Sequence, residues 1–306
     1  KNLEIKIAVH ILCYNVDRFL LHTVKNCYPY VDHIYLAWSP VSWGYRSRQS
    51  NPTHIHQYNL PAKYPKCQII EGVWDTEEEM RNACLEKARE DQCDWLIIQD
   101  ADEFYADSSW ELAIRALAVA PASINLFKST WFQFWKHPSI VIMNNDGQIK
   151  GTNAGFAIRI RPNSRFTSKR LTTFSGTDEE SVLDVACFHF GWVLSDEEMA
   201  LKIKTWGHSK EFDPETWFHL KWKRWSLGTR NLGTVNPCSW KRAVFFPGNI
   251  PDFAFDIYGS GFSIPCRSLK SKSNSTGLIA REFVYDIKSE WKWLKYWFKN
   301  SYLTQA

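Results

Sequence analysis

The chain has 306 residues, enough to bury a large core as one elaborated domain or two small ones. Its 44% hydrophobic and 23% charged content is that of an ordinary globular protein, without internal repeats or low-complexity segments. A net charge of +4, with both signs scattered and no Lys/Arg run, argues against nucleic acid as a partner.

The aromatic content is unusual, at 15% with 16 Trp. Tryptophan faces stack on sugar rings and bases, and they also pack cores. Eight Cys occur, at 13, 27, 67, 84, 93, 187, 238 and 266, with no C-x-x-C pair to suggest a zinc ribbon or a redox motif. Cys13 and Cys187 sit inside apolar runs, where a reduced thiol behaves as a small hydrophobe, so a cytoplasmic setting is expected. No stretch reaches the roughly 18 apolar residues of a membrane span, and no signal peptide precedes the first strand. The chain starts at Lys1 rather than Met, which leaves room for an anchor removed upstream.

Residues 5–12 form an apolar run ending near Asn15, as a buried parallel strand does. Residues 17–27 have helical spacing, and 33–37 read as a second strand. Residues 38–65, rich in Pro, Ser, Asn and Arg, read as a long functional loop. A third strand covers 67–71, and Thr76-x-x-Glu79 is a capping-box signature opening a helix. A fourth strand, Trp95-Leu96-Ile97-Ile98, runs into Asp100-Ala101-Asp102-Glu103. This β-α-β-β-α-β order predicts a Rossmann-like α/β sheet, whose ligands bind beyond the carboxyl ends of the strands. Further strands are expected at 124–134, 156–161 and 184–190, and Ser195-x-x-Glu198 opens another capped helix. Residues 207–285 are rich in Trp, Phe, Pro and Gly without clear period, which predicts a core over 1–206 and an aromatic-rich extension over 207–306 packed on it.

Two aspartates two apart at a strand end can hold one Mg²⁺ or Mn²⁺ and leave open positions for a diphosphate. The alternative is a solvated acidic turn or helix cap. The strand into Cys13-Tyr14-Asn15, the helix containing Arg81-Asn82, and the strand ending in Asp100-Ala101-Asp102-Glu103-Phe104 resemble the family 2 type of GT-A glycosyltransferase over residues 5–105. The resemblance implies a GT-A mixed sheet with helices on both faces. It also implies donor contacts from Leu12, Cys13, Tyr14, Asn15, Asn82 and Ala101, and metal binding by Asp100 and Asp102. Many relatives carry an Asp near the base at the second strand, but Leu36-Ala37-Trp38-Ser39-Pro40 has none, which leaves the base open. UDP is the default because a D-x-D metal site suits diphosphate donors generally, and GDP stays open.

His189, near a strand end, resembles in its placement the third metal ligand of many such enzymes, and a neutral imidazole suits Mn²⁺. A hydrogen-bonded core histidine is the competing reading. Lys202 and Lys204 on the following helix are candidates for the diphosphate. An inverting transferase needs a carboxylate base, and Asp178, Glu179 and Glu180, in a loop before the His189 strand, are the candidates. Trp131, Phe132, Phe134 and Trp135 are candidates for an acceptor platform, although alternation puts only half on one face. The basic, aromatic stretch 288–299 has helical period and suits peripheral contact at the cytosolic face of a membrane, near a lipid-linked acceptor.

Taken together, these features predict a metal-dependent transferase moving a sugar from a nucleoside-diphosphate sugar to a hydroxyl of a glycan or glycolipid. The competing readings are a carbohydrate-binding protein and a D-x-D phosphatase or nucleotidyltransferase. Haloacid-type phosphatases place their D-x-D after the first strand, whereas this one follows the fourth.

Overall fold

A computed structural model describes residues 5–151, 154–173, 178–259 and 284–288. Strand β1 (Ile7–Cys13) is buried along its whole length, and the two-residue alternation of its side chains divides the layers. Ile7, Val9, Ile11 and Cys13 face one core, which helix α1 (Leu20–Cys27) joins through Leu20, Val24 and Cys27. Ala8 and Leu12 face the opposite core. β1 pairs in parallel with β2 (His33–Trp38), as expected. The long loop after β2 contains a single-turn helix, α2 (Leu60–Lys63), and leads into β3 (Cys67–Glu71), parallel to β2.

Helix α3 (Glu77–Glu90) begins at a complete capping box, with Thr76 and Glu79 each bonding the other's backbone. Its Met80, Cys84, Leu85 and Ala88 cover the Ala8/Leu12 face. β4 (Trp95–Ile98) returns in parallel beside β1, and the chain turns into the two-residue β5 (Glu103–Phe104). Helix α4 (Asp107–Val119) packs Trp110, Ala113 and Leu117 on the α1 side. Helices therefore cover both faces of the sheet.

The second half adds β6 (Ile124–Trp135), β7 (His137–Asn144) and β8 (Ala154–Arg159), with a short hairpin of β9 (Phe166–Ser168) and β10 (Leu171–Thr172). β11 (Glu179–Trp192) follows and leads into α5 (Asp196–Thr205), which carries the second complete capping box, Ser195 with Glu198. After these come α6 (Pro214–Trp217), a π-helical turn Phe218–Lys223, β12 (Trp240–Phe245) and α7 (Asp252–Tyr258). The principal path through the sheet is β12-β7-β6-β8-β4-β1-β2-β3, parallel from β4 to β3 and antiparallel between neighbours from β12 to β4. β11 runs parallel to β6 and also pairs with β5. This is the mixed α/β sheet that the alternating elements predict.

Residues beyond 206 join the elements before them. β12 is a strand of the same sheet, and a third core joins Trp135, Ile140 and Ile142 to Trp192, Met199, Trp217, Trp222 and Leu232. The rings of Trp135 and Trp222 lie 5.2 Å apart, and both are fully buried. A good part of the tryptophan excess is therefore packing. No disulfide forms among the described residues, and Cys13, Cys27, Cys84 and Cys187 are buried. No described helix is long and apolar enough to cross a membrane. Of the expected membrane-contacting stretch, residues 289–299 lie outside the described residues.

Candidate functional site

β4 is apolar and buried, so the first polar groups after it emerge together at its carboxyl end. The turn there is tied down from several sides. The Gln99 side-chain amide donates to the Glu103 carbonyl at 2.8 Å, the Glu103 N–H donates to the Asp100 carbonyl at 3.1 Å, and the Thr23 hydroxyl donates to the Ala101 carbonyl. β5 then pairs antiparallel with β11, placing His189 opposite Glu103, and the Phe190 N–H donates to the Asp102 carbonyl at 2.8 Å. This pairing brings the distant His189 to the acidic turn, with its Nε2 at 3.4 Å from Asp102 Oδ1.

The histidine is oriented from behind, where its Nδ1 meets Gln133 Oε1. With the amide so placed Nδ1 donates to Gln133, and Nε2 is the ring nitrogen that faces the Asp102 carboxylate. A proton on Nε2 or a metal ion between the two groups would satisfy this pair. Ligand atoms about 2.1 Å from one Mg²⁺ or Mn²⁺, at right angles, stand about 3 Å apart, so the spacing suits such an ion. Ligand atoms of Asp102, Glu103 and His189 all lie within 4.8 Å of one another. Gly191 keeps the space open: a Cβ there would stand 2.5 Å from Asp102 Oδ2 and 2.6 Å from His189 Nε2. The residues present fit a divalent metal.

Positive side chains surround the turn. Asp100 accepts from Arg81 at 2.9 Å and from Arg170 at 2.8 Å, and Arg170 also pairs with the fully buried Glu103. Burial works to raise the Asp100 carboxyl, but the Arg81 and Arg170 guanidiniums outweigh it and hold the group well below the usual carboxylate range. At Asp102 burial acts the same way, and Lys202 and His189 likewise hold it down. Glu103 goes the other way: burial pushes its carboxyl above the ordinary range, against the pull of Arg170. A cavity of about 600 Å³ opens over this turn. Its walls include Tyr14, Arg81, Lys169, Arg170, Lys202 and Trp131, a size and lining suited to a polar, anionic organic ligand.

Leu12, Tyr14, Asn15 and Ala101 line this cavity, together with Asp100, Asp102 and His189. Asn15 adopts a left-handed backbone, φ 54°, and its N–H donates to the Asn51 side chain at 3.1 Å. Asn51 uses all four of its hydrogen-bonding positions to join β1, β2 and the long loop, with the Cys13 and Ser39 carbonyls both at 2.8 Å and the Thr53 N–H at 3.0 Å.

The structure does not bring the other candidates to the cavity. The Cys13 side chain is buried in the α1-side core. Asn82 is spent on Phe166, donating to its carbonyl at 3.1 Å and accepting its N–H at 2.8 Å, so it braces the hairpin that carries Arg170. Lys204 is exposed on α5, one residue out of phase with the inward-facing Ile203. Asp178, Glu179 and Glu180 stand at the opposite end of β11 from His189. There Asp178 pairs with Arg161 at 3.4 Å, Glu179 accepts from Ser123 at 3.2 Å, and Glu180 pairs with Lys128. Ten extended residues separate Glu179 from His189, about 33 Å of strand. In the proposed aromatic platform Trp131 lines the cavity, while Phe134 and Trp135 are fully buried.

Arg170, Lys169 and Gln133 are the site residues that sequence reasoning missed. A Lys-Arg pair in a short hairpin looks like solvated loop, and one glutamine in a strand carries no signal of its own. Arg81 was more legible, because Glu77, Arg81, Cys84 and Ala88 share one helical stripe, and charges on an apolar stripe imply a buried pair.

No protein-family model matches the sequence, and a search of curated proteins finds no match. Among solved structures, the chain is similar to glucosyl-3-phosphoglycerate synthase from Mycobacterium tuberculosis in complex with Mn²⁺, UDP and phosphoglyceric acid. That similarity has 12% identity and a TM-score of 0.40, covering 61% of this chain and 71% of that one. It is also similar to residues 1–349 of S. aureus TarS, with 11% identity and a TM-score of 0.36, covering 72% and 76%. The similarity to a 4-diphosphocytidyl-2C-methyl-D-erythritol synthase from Anaerococcus prevotii has 13% identity and a TM-score of 0.35, covering 59% and 87%. Similarity at this level assigns no activity.

Proposed function

We propose that the chain is a GT-A-type glycosyltransferase that takes its sugar from a nucleoside-diphosphate sugar and passes it to a hydroxyl of a glycan or glycolipid. The observation that carries this reading is the facing pair Asp102 Oδ1 and His189 Nε2, set at two strand ends beneath a cavity walled by Arg81, Lys169, Arg170 and Lys202. Asp102 and His189, with Asp100 or Glu103 from the same turn, would hold Mn²⁺ or Mg²⁺. Such an ion supplies Lewis-acid neutralisation of the charge that builds on the leaving diphosphate.

The chain's own groups do the rest. Arg170 and Lys169, on one hairpin, meet the phosphates from the side facing Asp100, and Lys202 meets them from α5. Tyr14 and Asn15 present the end of β1 to the nucleoside, with Trp43 5.8 Å from Tyr14, ring to ring. UDP is the favoured nucleotide, with GDP the alternative. If the reaction inverts, its base comes from the carboxylates that line the cavity outside the metal group, which are Asp17, Glu77 and Glu198.

Calorimetric titration with UDP and GDP, with and without Mn²⁺, tests the assignment. Metal-dependent binding of one nucleotide, lost in Asp102→Ala without loss of fold, is the expected result. Full binding and turnover in Asp102→Ala would sink it. Binding of a nucleoside triphosphate with release of pyrophosphate would instead show a nucleotidyltransferase.

A further inference from the structure

A metal ion at the Asp102–His189 pair would find one cation of the chain already beside it. Lys202 Nζ lies 3.2 Å from Asp102 Oδ2 and donates to the Gly191 carbonyl at 2.8 Å. Among the described residues it is the only lysine or arginine paired with Asp102. Its Nζ lies over the Trp192 ring, 5.5 Å from the centroid, and the side chain is 22% exposed. Asp102 thus has one oxygen facing His189 and the other held by an ammonium.

We infer that Lys202 is the resident counter-cation of the metal site, displaced when a divalent ion binds and then turned onto the diphosphate of the nucleotide. This inference rests on the metal reading proposed above. An ion between Asp102 Oδ1 and His189 Nε2 would stand within a few ångströms of the ammonium, where a double and a single positive charge repel strongly. Asp100 already faces the two guanidiniums of Arg81 and Arg170, so it adds little attraction for the displaced ammonium. The open direction is the cavity that Lys202 already lines, and its flexible four-carbon stem lets the ammonium swing there.

Two consequences follow. Without nucleotide, Mn²⁺ competes with a tethered cation and binds weakly. With nucleotide, the ammonium gains a phosphate partner, so metal and nucleotide each raise the other's affinity by the same factor. Arg170 lacks this property, because its guanidinium is held by Asp100, Glu103 and the Gly155 carbonyl at once.

The free-Mn²⁺ signal in electron paramagnetic resonance reads the metal directly, without turnover. Lys202→Met, with its fold checked by thermal melting, is expected to bind Mn²⁺ about tenfold tighter than wild type when no nucleotide is present. The strengthening of Mn²⁺ binding by UDP or GDP should shrink in that variant. Lys202→Arg, which keeps the charge, should stay as weak as wild type. Equal or weaker Mn²⁺ binding by Lys202→Met overturns the inference while leaving the metal site intact. Absence of Mn²⁺ binding in all forms, or wild-type binding by His189→Ala, overturns the metal reading and this inference with it.

Discussion

Gly191→Ala puts the site's geometry to its most direct test. The backbone at Gly191 lies outside the left-handed region, so alanine meets no conformational penalty there. The obstacle is space: a Cβ would stand 2.5 Å from Asp102 Oδ2 and 2.6 and 2.7 Å from His189 Nε2 and Cε1. Ordinary contact begins near 3.4 Å, so Asp102 and His189 must give way by about 1 Å. Overpacking of this kind costs about 1–3 kcal/mol of stability, a tolerable share of the roughly 5–15 kcal/mol of a typical domain. A displacement of about 1 Å at ligating groups lowers turnover by about 100-fold. The variant should therefore melt only a few degrees below wild type while losing metal-dependent nucleotide binding in calorimetry and most of its donor turnover. Gly228→Ala is the matched control, since its Cβ would meet only Ser226 Oγ at 3.9 Å. Wild-type nucleotide and Mn²⁺ binding in Gly191→Ala would refute the placement of the ion between Asp102 and His189.

The two aspartates should part company on stability. Asp100→Asn strips the charge partner from the buried Arg81, whose other carboxylate, Glu77, is 3.9 Å away, and should cost about 3–5 kcal/mol in denaturant unfolding; Asp102→Asn, whose lysine partner is partly exposed, should cost about 1 kcal/mol or less while abolishing metal binding. Asn82→Ala leaves the Phe166 N–H and carbonyl without their side-chain partner, so it should destabilise by about 1–3 kcal/mol and weaken nucleotide binding only through the Arg170 hairpin. Lys136 carries a pH signature. Burial lowers its amine from 10.5 to about 8, so between those values the unfolded chain binds more protons and stability rises with pH. The stability advantage of Lys136→Met over wild type should therefore shrink by about 2 kcal/mol from pH 7.5 to 9.5 in urea unfolding, and a constant gap would count against it.

The strand into the aspartates and the two capped helices were legible because their signals are local. An apolar run ending at paired aspartates, and the capping residues Thr76 with Glu79 and Ser195 with Glu198, each specify their own neighbourhood, and both boxes form. Proximity in sequence misled at 178–180. These residues precede the His189 strand, so a loop folding back seemed natural. Instead β11 starts at Glu179 and runs extended beside the whole of β6, and an extended strand carries its first residue as far from its last as the chain allows. Tryptophan posed a different difficulty, since Trp131 at the cavity and Trp135 in the core are the same residue type on one strand. Only the bulge where β6 meets β7 and β11, and the packing of Trp217 and Trp222 behind it, decides which ring meets a ligand.

Of the two cations that set the site's charge, Arg170 was invisible in the sequence, and Lys202 was legible only as a candidate for the diphosphate. Arg170 reaches Asp100 from a hairpin braced by Asn82, and Lys202 reaches Asp102 from a helix whose cap, Ser195, lies seven residues before it. Each aspartate therefore arrives at the cavity already neutralised, and the two cations differ in freedom. Arg170 is bound to Asp100, Glu103 and the Gly155 carbonyl at once, whereas Lys202 has two hydrogen-bond partners and the cavity ahead of it. A rigid pair beside an exchangeable one lets the site hold its shape while one charge moves. That division of labour suits a reaction in which a diphosphate arrives bearing a sugar and leaves more negative than it came.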